Sequence, residues 1–307
     1  MPVSLRKARC SIASFVVLCG HTFKEGWASL LHDGCRYEQE QKGTEPNKRL
    51  KLTEEGHRSL ALDVSSLSVC ADLNSMISFI IPVSNEELLI GRTLEAIQKA
   101  ANNVDIDYEL IVVDDNSSDN TGKIATDLGA RVVKVNHRQI SSTRNSGAHA
   151  ANGNLLIFID ADTVISTETL RSTMTAINNK AIGGSAAFRF DGYVPLCGRV
   201  IQWLLYRLYR LGKVVGSSYL FCTRGAFERV GGFDETVYGA EEMILSRSLK
   251  KLGGFILLKQ TVLTSGRRLR IYSFWEVMSI ITRLAVSGER IEDRNTGWFW
   301  YDGKRES

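Results

Sequence analysis

Carboxylate residues occur in four short clusters at the ends of predicted strands. The clusters are Asn85-Glu86-Glu87, Asp114-Asp115-Asn116, Asp160-Ala161-Asp162 and Glu241-Glu242. The third is the most informative, because it follows the continuous apolar run of residues 155–159, which is typical of a strand buried on both faces. Open α/β sheets bind ligands at the carboxyl ends of their strands. Two carboxylates on alternate residues there can hold a hard divalent cation, which in turn needs a partner rich in anionic oxygen, such as a diphosphate.

Strands and helices are predicted to alternate from Met76 onward, which predicts an α/β fold with a mostly parallel sheet. Strands are expected at residues 77–83, 110–113, 131–135, 154–159 and 183–190. Helices are expected at residues 86–101, from a cap within 117–120 to residue 128, and at 141–151, 166–178, 196–214 and 273–287. The first helix is predicted to bury a stripe that includes Leu88, Leu94 and Ile97.

Composition limits the classes of protein to consider. The chain has 307 residues, of which 44% are hydrophobic, so one large or two small domains with a sizeable core are expected. A net charge of +4 from dispersed basic residues does not indicate a nucleic-acid partner. No apolar run is long enough to cross a bilayer. The six cysteines include no CxxC pair, which favours a reduced compartment, and we expect a cytoplasmic protein.

The chain changes character at Met76. Residues 1–75 show no sustained period and are expected to form a disordered or weakly ordered leader. Two alternatives remain open for this leader: upstream sequence included through a wrong start, with Met76 as the natural initiator, or a small helical accessory region. Residues 76–265 are expected to form the main domain, and residues 266–307 a C-terminal helix and tail.

The predicted helix of residues 196–214 has a basic face. At about 100° per residue, its basic and amide side chains share an arc of about 140°. These are Arg199, Gln202, Arg207, Arg210 and Lys213, with Trp203 and Tyr206 among them. Such a helix suits a membrane interface, which would make the protein peripheral on the inner face of the plasma membrane. An ordinary surface helix packed on the core is the alternative.

Five motifs in a fixed order resemble family 2 glycosyltransferases, which are enzymes of the GT-A fold. They are residues 80–87 (IIPVSNEE), 112–119 (VVDDNSSD), 144–147 (RNSG), 158–162 (FIDAD) and 231–235 (GGFDE), the last followed by residues 240–242 (AEE). The resemblance covers residues 76 to about 260. It departs from the family at Ser84, where an aromatic residue is usual, and at Glu241-Glu242, where the usual pair is Glu-Asp.

The resemblance implies a GT-A architecture: a Rossmann-like, mostly parallel sheet flanked by helices, with an acceptor-side C-terminal half. It implies an inverting enzyme that uses a nucleotide-diphosphate sugar, here a UDP-sugar, and Mg²⁺ or Mn²⁺. The acceptor would be a lipid-linked or polysaccharide precursor. Since the Gln-x-x-Arg-Trp signature of processive synthases is missing, we expect non-processive transfer.

The same resemblance assigns residues to roles. Residues carried over as nucleotide-sugar contacts are Pro82, Ser84, Glu86, Asp115, Arg144 and Asp160. Asp162, together with Asp160, is assigned to the metal. Glu242 is the candidate general base, with Glu241 as the alternate.

Each assignment has a structural alternative. Asp115 suits a turn cap, because Asp-Asn-Ser-Ser favours Asx turns. Arg144 is alternatively a helix-surface arginine, and Glu241-Glu242 a favourable acidic helix start. The basic run of Arg267, Arg268 and Arg270 is interpreted as solvated, with diphosphate or lipid head groups as alternative partners.

Two other functions remain open at this point. Residues 157–164 also resemble the first motif of haloacid-dehalogenase-type phosphatases, in which Asp160 would be the nucleophile and Asp162 the acid–base. That reading leaves the first two strands and their acidic ends without a role. The other alternative is a non-catalytic relative that only binds a sugar nucleotide.

Overall fold

Apolar strands form the centre of a sheet in the structure, a computed structural model that describes residues 76–192, 218–267 and seven residues between 198 and 209. Within these ranges the strands are β1 (Ile77–Val83), β2 (Tyr108–Asp115), β3 (Arg131–Val135), β4 (Leu155–Ile159), β5 (Thr163–Val164), β6 (Gly183–Phe190), β7 (Tyr219–Thr223) and β8 (Phe255–Thr264). The helices are α1 (Ile90–Asn102), α2 (Thr121–Asp127), α3 (Ile140–Ala150), α4 (Thr167–Asn178), α5 (Arg224–Val230) and α6 (Glu241–Leu252).

The strand order in the sheet is β3-β2-β1-β4-β7-β6-β8-β5. The first four strands of this order are parallel to one another. Strand β7 runs antiparallel to β4 and β6, β8 is parallel to β6, and β5 is antiparallel to β8. The predicted α/β fold is therefore confirmed. Strands β1 to β4 form a continuous parallel part, and the later strands add three antiparallel pairs and the parallel pair of β6 and β8.

Two apolar cores cover the two faces of the sheet, because successive side chains of a strand point to opposite faces. In β1, Phe79 and Ile81 belong to the core that also contains the apolar residues of α1 and α4, whereas Ile80 belongs to the other. In β4, Ile157 lies in the first core and Phe158 in the second. Since the strand is buried on both faces, its run of apolar residues needs no polar alternation.

Helix α3 lies close against β1 and β2 because Gly147 has no side chain. A Cβ atom there would collide with Ile80 and lie 2.8 Å from Val113 Cγ2. The first turns of α3 are polar but buried, with Ser141, Thr143 and Arg144 all largely inaccessible to solvent. Buried polar side chains need partners, and Thr143 and Arg144 have theirs among the acidic residues described below.

Three sequence predictions differ from the structure. Helix α1 begins at Ile90 rather than at Glu86, since the Glu86 carbonyl accepts bonds from Leu89 and Ile90 in a preceding turn. Leu88 therefore lies outside the helix and is 76% exposed instead of buried. Strands β5, β7 and β8 and helix α5 were not predicted.

Several predictions lie wholly or partly outside the described residues: the leader of residues 1–75, the helix at 273–287 and most of the tail. Of the predicted helix at 196–214, the seven described residues are helical. No helix in the described part of the chain is both long and apolar enough to span a membrane.

Candidate active site

Acidic residues from β1, β2 and β4 meet at one edge of the sheet. Asp115 is the last residue of β2, Asp160 directly follows β4, and Glu86 lies three residues beyond the end of β1. Because these strands are parallel and adjacent, their carboxyl ends lie side by side. This is the edge at which open α/β sheets place their ligand sites.

Arg144 joins Asp160, at this edge of the sheet, to the start of α6. Its NH1 atom bonds to Glu241 Oε1 at 2.6 Å. Its NH2 atom bonds to both Asp160 Oδ1 at 2.8 Å and Glu242 Oε1 at 2.7 Å. Burial lowers the pKa of Arg144, but the three carboxylates outweigh burial and raise it, so the group stays charged. The side chain is 4% exposed, which rules out the alternative of a helix-surface arginine.

Asn145, the next residue of α3, fixes the segment that precedes α6. Its side chain donates to the Phe233 carbonyl and accepts from the Phe233 amide, both at 2.9 Å. It also donates to Glu235 Oε1 at 2.7 Å. The Phe233 ring lies under the Arg144 guanidinium, 5.3 Å from centroid to carbon, in a cation–π contact. The two motifs therefore form one structural unit.

Glu241 and Glu242 share Arg144 but differ in exposure. Glu241 is buried, with 6% of its side chain exposed, whereas 16% of the Glu242 side chain reaches solvent. Both follow Ala240, whose φ of 63° is in the left-handed region that costs a residue with a Cβ atom about 1–3 kcal/mol. The strained backbone at Ala240 therefore lies directly before the two candidate bases.

The Glu242 carboxyl group holds its proton more tightly than an ordinary glutamate. Burial raises its pKa from 4.5 to about 8, and the charges of Glu241 and Asp160 add to the rise. Arg144 opposes this shift through its positive charge. A carboxylate with a pKa near neutrality is a suitable general base, because it can both accept and release a proton at physiological pH.

Asp162 lies beside the end of β8. Its Oδ1 accepts a hydrogen bond from Thr264 Oγ1 at 3.1 Å, and its Oδ2 lies 3.6 Å from Arg267 NH2. Burial raises the pKa of Asp162 to about 6, the charge of Asp160 adds to the rise, and Arg267 opposes it. Asp160 itself is more open, with 33% of its side chain exposed.

Arg267 is not a solvated residue, contrary to the interpretation of the basic run. Its guanidinium forms a bidentate salt bridge with the Glu86 carboxylate. NH1 donates to Oε2 at 2.7 Å and NH2 donates to Oε1 at 2.6 Å. Only 13% of the Arg267 side chain and 10% of the Glu86 side chain are exposed. Arg268 and Arg270 lie outside the described residues.

The Asp115 carboxylate accepts four hydrogen bonds from within the protein. Oδ1 accepts from the amides of His137 and Arg138 at 2.8 and 2.9 Å. Oδ2 accepts from the Gln139 amide at 3.2 Å and from Thr143 Oγ1 at 3.0 Å. These bonds use about all the acceptor capacity of a carboxylate. Asp115 thus holds the loop that leads into α3. It does not cap the local turn, where Asp114 Oδ1 accepts from the Ser117 amide at 2.9 Å. The contact of Asp115 with a nucleotide remains a prediction.

The remaining predicted donor contacts lie on either side of the end of β1. Pro82 is buried in β1 opposite Val113, and Ser84 is exposed just beyond the strand. Asn85 follows with a φ of 53° and crosses to the neighbouring loop, where its Oδ1 accepts from the Ser118 amide at 2.7 Å. The two loops after β1 and β2 are therefore cross-linked, and Ser84 lies where they open to solvent.

Comparison with known sequences identifies a family whose profile matches the region that contains most of the predicted site residues. Residues 78–223 match the sequence profile of Glycosyl transferase family 2. The match contains β1 through β7, and with them Glu86, Asp115, Arg144, Asp160 and Asp162. This region is a family 2 glycosyltransferase domain. The phosphatase alternative is not retained, because the matched region contains the segment on which it rested.

Curated glycosyltransferases align with this domain and its continuation. Probable glycosyltransferase YdaM of Bacillus subtilis is 25% identical over 65% of this chain and 52% of its own length. The dolichol-phosphate mannosyltransferase of Pyrococcus furiosus is 28% identical over 60% of this chain and 51% of its own. The 4,4'-diaponeurosporenoate glycosyltransferase of Staphylococcus haemolyticus is 34% identical over 59% and 48%. The chain spans about half the length of these curated relatives.

Solved structures share the fold of this glycosyltransferase domain. The mannosyltransferase PcManGT from Pyrobaculum calidifontis, in complex with GDP-Man and Mn2+, superposes with a TM-score of 0.54 at 19% identity. That superposition covers 69% of this chain and 61% of the other. Mannosyl-3-phosphoglycerate synthase from Rubrobacter xylanophilus gives 0.52 at 20% identity, over 73% and 79%. The predicted GT-A fold is thereby confirmed.

The acidic edge of the domain fits a cation that draws most of its ligands from a substrate. Among the residues that the structure describes, no group of three or more His, Cys, Asp or Glu side chains could hold a metal ion. Asp160 and Asp162 supply hard carboxylate oxygens on alternate residues, the second of them beside a hydroxyl. Mg²⁺ commonly binds through one or two carboxylates, with phosphate oxygens and water completing its octahedron. The donor set therefore fits Mg²⁺ or Mn²⁺ together with a diphosphate.

Sequence reasoning missed three residues of this site. Asn145 was part of a recognised motif but received no role, although it orders the segment before α6. Thr264 and Arg267 lie around the end of β8, a strand that was not predicted. The one available signal was the basic run itself, and its pairing with Glu86 crosses 181 residues of sequence.

Proposed function

We propose that this chain transfers a sugar, with inversion and without processive addition, from a nucleotide-diphosphate donor to an acceptor hydroxyl. The proposal depends mainly on one observation. Glu242 and Asp160 bond to the same nitrogen of Arg144, so their two oxygens are no farther apart than the sum of 2.7 and 2.8 Å. A proton-accepting group is thereby fixed beside the acidic edge at which a donor would bind.

Glu242 is the proposed general base. It accepts the proton of the acceptor hydroxyl as that oxygen forms a bond to the anomeric carbon. The bond from that carbon to the diphosphate oxygen breaks on the opposite side, and its electron pair leaves with the diphosphate. In-line displacement of this kind inverts the anomeric configuration. Glu241, which is buried against Arg144, is proposed to position the guanidinium rather than to accept the proton.

Asp162 and Asp160 are the proposed cation ligands. A bound Mg²⁺ or Mn²⁺ would stabilise the negative charge that develops on the leaving diphosphate. Glu86, beyond β1, is proposed to accept hydrogen bonds from the base or ribose of a UDP-sugar, with Pro82 and Ser84 beside it. Asp115 contributes to the same subsite by holding the loop at residues 137–139.

The acceptor is proposed to be a lipid-linked sugar that offers a hydroxyl, presented to an enzyme that lies peripherally on the inner face of the plasma membrane. The names of two relatives, undecaprenyl-phosphate 4-deoxy-4-formamido-L-arabinose transferase and dolichol-phosphate mannosyltransferase, support a lipid carrier. Trp203 and Tyr206 are 62% and 37% exposed, and the Arg207 guanidinium lies 5.7 Å from the Trp203 ring. Tyr209 faces inward and donates to the Ser185 carbonyl. Aromatic and basic side chains on one exposed face suit a lipid interface.

Vesicle sedimentation would test the membrane contact. The protein should sediment with vesicles that contain phosphatidylglycerol, and Trp203→Ser should reduce the bound fraction severalfold. Leu88→Ser is the matched control, because Leu88 is also an exposed apolar residue but lies in the loop between β1 and α1. Equal losses in both variants, or none, would contradict a docking role for the 196–214 segment.

Nucleoside-diphosphate release would test the transfer reaction. The full chain is incubated with Mn²⁺, a panel of UDP- and GDP-sugars and a polyprenyl-linked sugar acceptor that carries free hydroxyls. Release of UDP or GDP that requires the acceptor and falls sharply in Glu242→Gln supports the proposal. Donor-induced stabilisation without release would favour a non-catalytic relative. Release of free phosphate from simple phosphoesters would return the phosphatase to consideration.

A further inference from the structure

Arg267 occupies the donor cleft as an internal cation. Its two terminal nitrogens bond to both oxygens of Glu86, and NH2 also lies 3.6 Å from Asp162 Oδ2. The guanidinium thus joins the loop after β1 to the loop after β4. These are the two loops to which the proposed function assigns the nucleotide and the cation.

The backbone beneath Arg267 is held in place, so this contact is part of the folded structure. The Gly266 amide donates to Asp191 Oδ1 at 3.0 Å, and Arg92 NH1 bonds to Asp191 Oδ2 at 2.8 Å. The Arg267 amide donates to Ser265 Oγ at 3.3 Å. These bonds hold residues 265–267, the segment that leads to the arginine side chain.

Arg267 offsets part of the negative charge of this cluster without a metal, since its one positive charge faces the two carboxylates of Glu86 and Asp162. A divalent cation on Asp162 would lie close to the guanidinium, and like charges at such a distance repel strongly in a poorly hydrated cleft. A diphosphate placed between them would remove the repulsion, because it supplies negative charge to both. Cation and donor would then each strengthen the binding of the other, since thermodynamic coupling is reciprocal.

We propose that Arg267 is a displaceable counter-cation that holds Glu86 and Asp162 in the donor-free protein and makes tight divalent-cation binding depend on the nucleotide diphosphate. This inference rests on the proposed function, which assigns Asp162 to the cation. Arg267 acts as a positioning residue that keeps the cleft closed to the cation alone. It releases Asp162 when the donor and the cation enter together.

Mn²⁺ binding by the full chain tests this proposal independently of catalysis. Free Mn²⁺ is measured by electron paramagnetic resonance, alone and with UDP or GDP. Arg267→Gln should bind Mn²⁺ alone about tenfold more tightly than the wild type, within the usual range of such couplings. The nucleotide should then increase its Mn²⁺ affinity much less. Arg267→Lys keeps the charge and should remain near the wild type.

Arg171→Gln is the matched control. It also removes one arginine charge, but from an exposed side chain that donates to the Asn103 carbonyl and contacts neither Glu86 nor Asp162, so Mn²⁺ binding should not change. Thermal unfolding adds a second measurement. Arg267→Gln should melt at a lower temperature without ligand and gain more from Mn²⁺ alone than the wild type does.

The outcomes separate this inference from the proposed function. Unchanged or weaker binding of Mn²⁺ alone in Arg267→Gln, with the wild-type gain from nucleotide retained, overturns the counter-cation role and leaves the proposed function standing. Wild-type Mn²⁺ binding by Asp162→Asn with nucleotide present would instead remove the cation assignment on which both rest. Failure of every variant to bind Mn²⁺, with or without nucleotide, would reject the counter-cation as well.

Discussion

Two adjacent glutamates bond to one arginine and differ in exposure, and we propose different roles for them on this basis. Glu242 is the more accessible of the two, and Glu242→Gln should lower transfer by roughly 10²–10⁴-fold, the usual contribution of a positioned base. Donor binding should persist, because the amide has nearly the same shape and the donor contacts lie elsewhere. Steady-state transfer rates and donor-induced melting shifts of the same preparation would check both points.

Glu241→Gln is the companion variant, and its main effect should be on stability. Glu241 is the buried partner of Arg144 NH1, and a neutral amide there weakens a charged hydrogen bond by about 1–3 kcal/mol. We expect a lower melting temperature with a much smaller loss of transfer than in Glu242→Gln. A larger loss of transfer at Glu241 would move the base to that residue, and equal losses would indicate a shared electrostatic role.

The raised pKa of Glu242 predicts the pH dependence of transfer. The base must be ionised to accept a proton, so the rate should increase as pH rises toward and through about 8. The profile of Glu242→Gln should lack this ionisation. A wild-type rate that is flat between pH 6 and 9 would contradict either the assignment of the base or the burial that shifts it.

The contribution of Glu242 to the free energy of unfolding should fall as pH rises, whereas the transfer rate should increase. The folded protein keeps the Glu242 proton up to about pH 8, whereas the unfolded chain releases it near 4.5. Between these values the folded state binds more protons, so the contribution of this group to stability falls as pH rises. Denaturant unfolding of the wild type and of Glu242→Gln across this range would isolate the difference.

At the residue scale, the sequence indicated which side chains gather at one edge of the sheet but not which of them pair with each other. The motif at residues 144–147 assigned Arg144 to nucleotide-sugar contact, and that role remains a prediction. The structure buries this arginine against three carboxylates, one of them 97 residues away. Such a charge cluster depends on where α3 and α6 meet, which no local pattern of residues encodes.

Helix α3 carries the site residues because it can approach the sheet closely at Gly147. Gly147→Ala places a methyl group against Ile80 and Val113, and overpacking of this kind costs about 1–3 kcal/mol. We expect a lower melting temperature and, because Arg144 lies one turn earlier on the same helix, a loss of transfer. Calorimetry and rate measurements on one preparation would show whether the two losses occur together.

Gly225→Ala is the matched control for Gly147→Ala. Gly225 lies in α5 with no atom within 4 Å of an added Cβ, so alanine there should be neutral or stabilise by up to about 1 kcal/mol. Stability losses of similar size at both positions would show that the close approach of α3 is not the cause.

At the element scale, the local sequence pattern was enough to predict the strands that are buried on both faces. Strands β1, β2 and β4 are apolar on both faces, and their runs identified them without knowledge of their neighbours. Strand β8 alternates exposed and buried residues irregularly and pairs with both β6 and β5, with a register shift opposite residues 185–187. Its position depends on non-local pairing, so the sequence alone did not reveal it or the arginine that follows.

At the scale of the whole molecule, we expect residues 76–307 to suffice for donor binding. The matched family region and every predicted site residue lie within this range. The truncated protein should fold cooperatively, and a donor at about 100 times its dissociation constant should add about 2.7 kcal/mol of stability. Thermal shift with Mn²⁺ and a donor panel would measure this. An insoluble product, or one that ignores donors to which the full chain responds, would show that residues 1–75 belong to the domain.

The position of β4 in the sheet has a consequence for synthesis on the ribosome. Residues 155–159, all apolar, pair with β1 on one side, while their other partner, β7, begins only at Tyr219. A translating ribosome adds about 5–20 residues per second, so several seconds separate the emergence of the two strands. During that interval β4 is the open border of a nascent parallel sheet, a form prone to pairing with other chains. Cells that synthesise many copies of this protein at once should therefore need chaperones most during this interval.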